Sequence, residues 1–496
     1  MSMSRFFHPV RAGRIARVAV VACTFGFSFV GATAPTVNLR SSARAAEGDP
    51  QVALEKYRLE NGLEVILHPD NTVPLAYVSV WYHVGSGDEV VGKSGFAHLF
   101  EHMMFQGSTN VGEDKHFEVL RKIGASTING TTNTDRTNYF EQVPSNQLET
   151  ALWLESDRMG HMLPLLTEKS LENQREVVRN ERRQNYDNVP YGKDRFAVNR
   201  RLYAEGHPYR YLTIGRHEDL QAASLEDVKS FFRKWYVPAN ATLLIAGDID
   251  VPATKKLVEK WFGSFPKAAK PARRSVPVTP VAGPVRETVN DEFAKLRRIH
   301  YAWHSPKAFG PGDAELDILA SVLANPGTGR LFKTLVHEKQ WAQNVASVQQ
   351  SQEHSGIFHI YVDLKPDADQ KAVEAVLEAE LDRVMKEPIS ERERKRVVTQ
   401  VEASFVRGLE TLVGRGENAQ SYNHFLGEPN SFTHHLDLFR NATVEKVREV
   451  AAATLKRSGR VEIITIPATP AAPKPGAPAA KPPTVSSTGS AKQGVN

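Results

Sequence analysis

The chain contains one cysteine, Cys23, in 496 residues, and that residue has no second thiol to pair with. Disulfides and cysteine-ligated zinc are therefore excluded, and any metal must be held by histidine and carboxylate. Long apolar runs are scarce as well. Only Val18–Ala34 near the N-terminus comes close to the about 20 residues that a membrane-spanning helix needs, so a polytopic membrane protein is excluded. A surface of one charge sign is missing too. The formal net charge of +5 arises in residues 1–46, which carry Arg5, Arg11, Arg14, Arg17, Arg40 and Arg44 and no acidic side chain. The remainder has 56 basic against 57 acidic residues, which leaves no basic footprint for a nucleic-acid partner. What remains is ordinary globular composition, 41% hydrophobic and 24% charged, over a length that calls for two domains of roughly 200 residues.

The N-terminus reads as an export signal over 1–46. Arginines up to Arg17 precede the apolar run, and Ala43-Arg44-Ala45 offers a small-x-small cleavage site. The expected location is the periplasm or the exterior, with membrane contact only if the signal stays uncleaved as an anchor. Val20-Val21-Ala22-Cys23 resembles a lipoprotein processing site, but its apolar stretch continues well past the cysteine.

A first block spans 52–265. It opens with a hairpin pattern around Asn61-Gly62, and a strand follows from Ala76 to Val84. Helical patterns then occupy much of 94–124, 145–186 and 224–236, and a strand after Asn240 closes the block. Residues 266–284 form a Pro/Ala/Lys-rich linker. The second block, 285–467, repeats the order: a strand from Arg298, a helix from Asp313, a strand pair around 345–363, two long helices through 368–427, a helix over 443–457 and a strand from Val461. This repetition predicts a duplicated α+β fold, two similar domains each with a sheet packed by helices. The Pro/Ala-rich segment 468–496 is expected to be disordered.

The strongest motif is His98-Leu-Phe-Glu101-His102. On a helix, positions i, i+3 and i+4 share one face, so both imidazoles can reach one tetrahedral zinc and Glu101 lies beside them. Zinc acidifies a bound water, and a neighbouring carboxylate can serve as the general base that accepts its proton. With 17 histidines and 57 acidic residues, chance would produce about 0.07 such patterns in this chain, so the spacing carries weight. Catalytic zinc usually takes three protein ligands. Glu172, Glu176 and Glu181 on one predicted helix are all candidates for the third, and spacing alone does not choose among them.

These residues resemble the pitrilysin/insulinase family of inverted zincins, over roughly 52–467. The resemblance is densest at Gly95–Ser108 and Arg175–Arg182, with further matches at Thr137-Asn-Tyr139, His207-Pro-Tyr209 and Tyr236–Asn240. It implies a zinc metalloendopeptidase built as a two-domain clamshell that admits peptides and unfolded chains, with an N-terminal catalytic domain and an inactive C-terminal one. It implies Glu181 as the third zinc ligand, because that residue closes the family's Arg-x-Val-(Ile/Val)-x-x-Glu pattern. Many relatives carry a second acidic residue seven positions earlier, where this chain has Gln174. The resemblance also implies that peptide substrates bind as an added strand along Thr127–Asn133, with Asn129, Gly130 and Thr131 at its centre; the competing reading makes Asn129-Gly130 a turn. The family's second domain offers an arginine and a tyrosine to the substrate, and His337 and Gln343 stand at the related positions. A sister subunit supplying Arg and Tyr in a heterodimer is the expected remedy. The alternative function is a non-catalytic peptide-binding subunit. His354 and the pair His434-His435 are expected at the surface or at helix caps, and His207 in a structural turn.

Overall fold

Turn chemistry and alternating apolar residues set the first strands. Glu55–Arg58 (β1) and Glu64–Pro69 (β2) pair antiparallel across Asn61-Gly62. Gly62 sits at φ 96°, and a Cβ there would come within 2.8 Å of Ala239 Cβ, so both conformation and space demand glycine. The computed structural model describes residues 52–468 apart from 114 and 275. The signal-peptide reading of 1–46 and the tail reading beyond 468 lie outside the described residues.

Leu75–Tyr82 (β3), Ser126–Thr132 (β4), Thr137–Pro144 (β5) and Ala241–Gly247 (β6) complete a six-stranded sheet in the order β1-β2-β6-β3-β5-β4. Val285–Asp291 (β7), Arg298–Ser305 (β8), Ala342–Gln350 (β9), Gly356–Leu364 (β10) and Val461–Pro467 (β11) form a second sheet, ordered β7-β11-β8-β10-β9. Each strand from β2 to β6 has its counterpart five strands later. In both sheets one pair is parallel (β2 with β6, β7 with β11) and the others are antiparallel. The duplicated α+β architecture expected from the sequence is therefore present, strand for strand.

β6 is buried along its whole length and β3 almost so, as strands covered on both faces must be. One face of the first sheet packs against Phe96–Met103 and Leu148–His161. The opposite face is covered by a helix from the far end of the chain, Leu412–Leu426. Its Leu412, Ala419 and Tyr422 meet Ile66, Tyr77, Leu244 and Ala246. The second sheet receives the reciprocal cover from Gly192–Leu202, whose Ala197, Val198 and Leu202 pack on Ala302, Ile357, Val461 and Ile463. Each sheet thus borrows a helix from the other half of the sequence.

One expectation needs correction. The stretch 368–427 holds three helices where the periodicity suggested two: Gln370–Lys386, Glu391–Gly408 and Leu412–Leu426. Pro388 interrupts the first junction, Ser390 caps the next helix through a capping box with Glu393, and Thr411 caps the third. The segment between the two blocks makes ion pairs with both of them. Arg273 pairs with Asp88 of the first half and with Glu353 of the second.

Candidate metal centre

The Phe96–Met103 helix begins after Gly95, its N-cap. Gly95 takes φ 90°, and a Cβ there would lie 2.9 Å from Gly215 Cα. Two buried carboxylates satisfy the amide groups that a helix start leaves open. Glu89 accepts from Gly95 N–H at 3.0 Å and Ala97 N–H at 2.8 Å, and Asp219 accepts from Ser94 N–H at 3.1 Å. Leu99, Phe100 and Met103 then enter the core, which leaves His98, Glu101 and His102 half-buried on the other face.

The opposing helix, Glu168–Arg182, buries Leu171, Gln174, Arg175 and Val178. Glu172 and Glu176 face away and pair with Arg175 and Arg179 one turn on. Of the three candidate ligands, Glu181 is the one turned toward the histidines. Its Oε2 lies 3.6 Å from His98 Nε2 and 3.4 Å from His102 Nε2. A tetrahedral ion with bonds of about 2.0–2.2 Å spaces its ligands about 3.3–3.6 Å apart, so the observed spacing fits a zinc-sized ion. Two imidazoles and one carboxylate, with donor atoms within 4.8 Å of one another, also match the thiol-free donor set that the composition requires.

At His98 electrostatics favour the same use. Burial holds the His98 imidazole below its ordinary pKa, despite the nearby charge of Glu101. Its ring is therefore neutral at pH 7 and offers a lone pair. At His102 burial, the largest single influence, acts in the same direction, but the hydrogen bond with Glu181 and the charges of Glu101 and Glu181 together outweigh it, and the pKa rises. The opposing pulls on Glu181 are burial, which raises it, and its bond with His102, which contributes to a net lowering. Gln174, buried on the opposing helix, adds the smallest of the contributions that raise His102.

Glu101 is steadied by an interaction that the sequence did not disclose: Thr132 Oγ1 donates to its Oε2 at 2.6 Å. Thr132 ends β4, the outermost strand of the first sheet. Asn129, Gly130 and Thr131 lie inside that strand, so the turn reading of Asn129-Gly130 is replaced by an edge strand. A bulge separates Ser126 from Asn129, and Thr127 adopts φ 53° there. A Cβ on Gly130 would sit 3.0 Å from the Phe105 ring and 3.1 Å from Tyr139. Gly130→Ala is therefore expected to cost about 1–3 kcal/mol of stability through overpacking, measurable by denaturant unfolding.

A second convergence, His116, Glu141 and Glu155, lies wholly in the interior. Arg158 already supplies positive charge there through its hydrogen bonds to Glu155. Burial first, and then the charge of Glu155, push the Glu141 carboxyl well up. The folded chain therefore keeps a proton that the unfolded chain releases above about pH 4.5, and stability falls as pH climbs from there toward the folded pKa. Glu141→Gln should raise Tm by about 1–3 °C at pH 8 and leave it unchanged at pH 4, as read by calorimetry.

The second half has no equivalent of the metal trio. Counting from matching helix caps (Gly95 with Gly312, Thr167 with Ser390), the positions of His98, His102 and Glu181 become Glu315, Leu319 and Ser404. His337 stacks edge-on to Phe332 in a π-helical turn, and Gln343 is exposed on β9. His435 departs from the surface expectation. It lies among Phe309, Phe405 and Phe439 and bonds the Tyr422 hydroxyl at 2.7 Å. His207 caps a short turn by accepting from Tyr209 N–H. No helix among the described residues is long and apolar enough to cross a membrane.

Known proteins resemble this chain in sequence and fold. Residues 64–203 match the family described as insulinase (peptidase family M16), and residues 222–401 match the peptidase M16 inactive domain. The zinc protease PqqE of Helicobacter pylori is 28% identical over 363 residues, which cover 72% of this chain and 80% of that protein. YmxG of Bacillus subtilis, named as an uncharacterized zinc protease, is 23% identical over 404 residues, 80% of this chain and 95% of its own. The crystal structure of a protease from Helicobacter pylori superposes with a TM-score of 0.78 at 26% identity, covering 84% of this chain and all of that one (100%). The first half of the periplasmic protease PqqL from Escherichia coli gives 0.71 at 18% identity over 84% of this chain and 93% of that one, a likeness of fold alone.

Proposed function

The chain belongs to the insulinase (M16) family of peptidases, and from that premise we propose that it is a zinc endopeptidase acting on peptides and unfolded polypeptides. The observation that carries the reading is the meeting of His98, His102 and Glu181 beside a carboxylate, Glu101, on the same helical face as the histidines. Two features of the relatives agree with it: their names call them zinc proteases, and their matches span most of the chain.

His98, His102 and Glu181 would hold the metal. Bound there, zinc supplies Lewis acidity toward water and toward a peptide carbonyl. Glu101 takes the proton from the attacking water and returns it to the leaving amine, the work of a general base turned acid. Thr132 keeps the Glu101 carboxylate oriented through its hydroxyl. β4 has a strand on one side only, so its outer edge is where an extended peptide adds as a further strand beside Asn129, Gly130 and Thr131. Main-chain bonding of this kind is tolerant of sequence, which suits unfolded substrates.

In this proposal residues 52–265 form the catalytic domain and 285–467 a peptidase-like domain without metal, joined by 266–284 after an export signal over 1–46. The absence of arginine and tyrosine at His337 and Gln343 favours a sister subunit that supplies them, and it also sustains the second reading, a peptide-binding subunit without turnover of its own. Zinc analysis together with hydrolysis of a quenched peptide by the purified chain separates these. Zinc-dependent cleavage by a monomer on gel filtration would end the two-subunit idea. Zinc-loaded protein that cleaves nothing, alone or with its neighbour subunit, would end the endopeptidase reading.

A further inference from the structure

The helix Leu412–Leu426 brings a carboxylate onto the first sheet, on the face away from the histidines. A Cβ on Gly416 would come within 2.9 Å of the Tyr77 ring, so the helix lies very close to the strands. The next residue, Glu417, gathers four donors. Its Oε1 accepts from Tyr77 Oη and Ser79 Oγ at 2.8 Å and from Trp81 Nε1 at 3.3 Å, and its Oε2 accepts from Asn138 Nδ2 at 3.0 Å. A helix-to-sheet tie would need only the first three, all of them on β3. The fourth leads elsewhere.

Asn138 is fixed by that bond with its amide toward Glu417 and its carbonyl toward β4, where Thr131 Oγ1 donates to Oδ1 at 2.6 Å. Arg136 Nη1 donates to Thr131 O at 2.7 Å and to Thr131 Oγ1 at 2.5 Å. Thr131 is thus held by two side chains, Asn138 and Arg136, and lies directly opposite Asn138 in the strand register. Its neighbour Thr132 points to the other face and donates to Glu101. A polar chain therefore runs from Glu417 through Asn138 and Thr131 to the backbone of β4, and from there through Thr132 to Glu101.

We infer that Glu417, from the second half of the sequence, is a positioning residue for Glu101. It sets the Thr131–Thr132 end of the edge strand, and through it the hydroxyl that orients the base. This rests on the proposed peptidase reading for its kinetic consequence, but not for its structural one.

The polarity of the chain provides the test. In Glu417→Gln the new amide nitrogen faces the Asn138 amide, two donors in opposition. If Asn138 rotates to accept, Thr131 loses its acceptor. Glu417→Gln should lower kcat about tenfold with KM and zinc content unchanged, and should speed hydrogen exchange over residues 126–132. Adding Asn138→Asp restores a carboxylate that accepts both from the introduced amide and from Thr131, and should recover both readouts. In a Thr132→Val background, where the link to Glu101 is cut, Glu417→Gln should change kcat less than about twofold, the signature of a shared pathway. An undiminished kcat in Glu417→Gln, or the same tenfold loss in the Thr132→Val background, would overturn the inference. If the wild type proves unable to cleave peptides, the kinetic arms fall with the peptidase reading, while the exchange over 126–132 and its rescue still decide whether Glu417 sets the strand.

Discussion

Glu101→Gln is expected to retain zinc at the wild-type ratio while kcat/KM for a quenched peptide falls by about 10²–10⁴, the usual worth of a positioned general base. The substitution keeps volume and helix propensity, and it leaves His98, His102 and Glu181 untouched as a donor set. The amide still presents an oxygen to the Thr132 hydroxyl, so the local geometry should survive. What it loses is the capacity to hold a proton. Elemental analysis with steady-state kinetics on the same preparation checks the prediction. Turnover near wild type would remove Glu101 from its role, and loss of zinc would show that Glu101 helps to hold the metal.

Removing Glu181 should have the opposite signature. In Glu181→Ala two imidazoles remain, one fewer than the three protein ligands common in catalytic zinc sites. Zinc stoichiometry after dialysis is expected to fall well below one, and peptide hydrolysis with it. Because a ligand that binds only the folded state stabilises it by mass action, added zinc should raise Tm of the wild type and leave the variant almost unmoved. Glu172→Ala and Glu176→Ala serve as controls: both carboxylates point away from the histidines and should leave zinc content unchanged. Full zinc retention in Glu181→Ala would mean that the 3.4 Å and 3.6 Å approaches to the histidines mark an ion pair and no metal site.

The parts legible in the sequence were those governed by local repeats. His98, Glu101 and His102 share a face because of helical spacing, and the structure places them so. The two sheets followed from strand patterns that occur twice in the same order. The choice of Glu181 was harder, since three acids sit on one helix. A signal was there: Leu171, Gln174 and Val178 form the buried row, and Glu181 continues it at the next i+3 step while Glu172 and Glu176 stand beside it. Nothing local announced Glu89, Asp219 or Thr132, whose partners depend on how distant segments meet. Glu417 lies further still from its partner Asn138, 279 residues along the chain. The helix breaks at Pro388 and Leu409–Thr411 were written in capping residues, but a continuous apolar period over 368–427 masked them.

The borrowed helices bear on how this protein can be taken apart. Severing the chain within 266–284 would separate neither sheet from its cover, because Gly192–Leu202 and Leu412–Leu426 would still clasp the opposite fragment. A nicked molecule should therefore migrate as one species until denatured. Either fragment produced by itself would display a bare apolar sheet face to solvent and should prove sticky and insoluble unless its complement is made in the same cell.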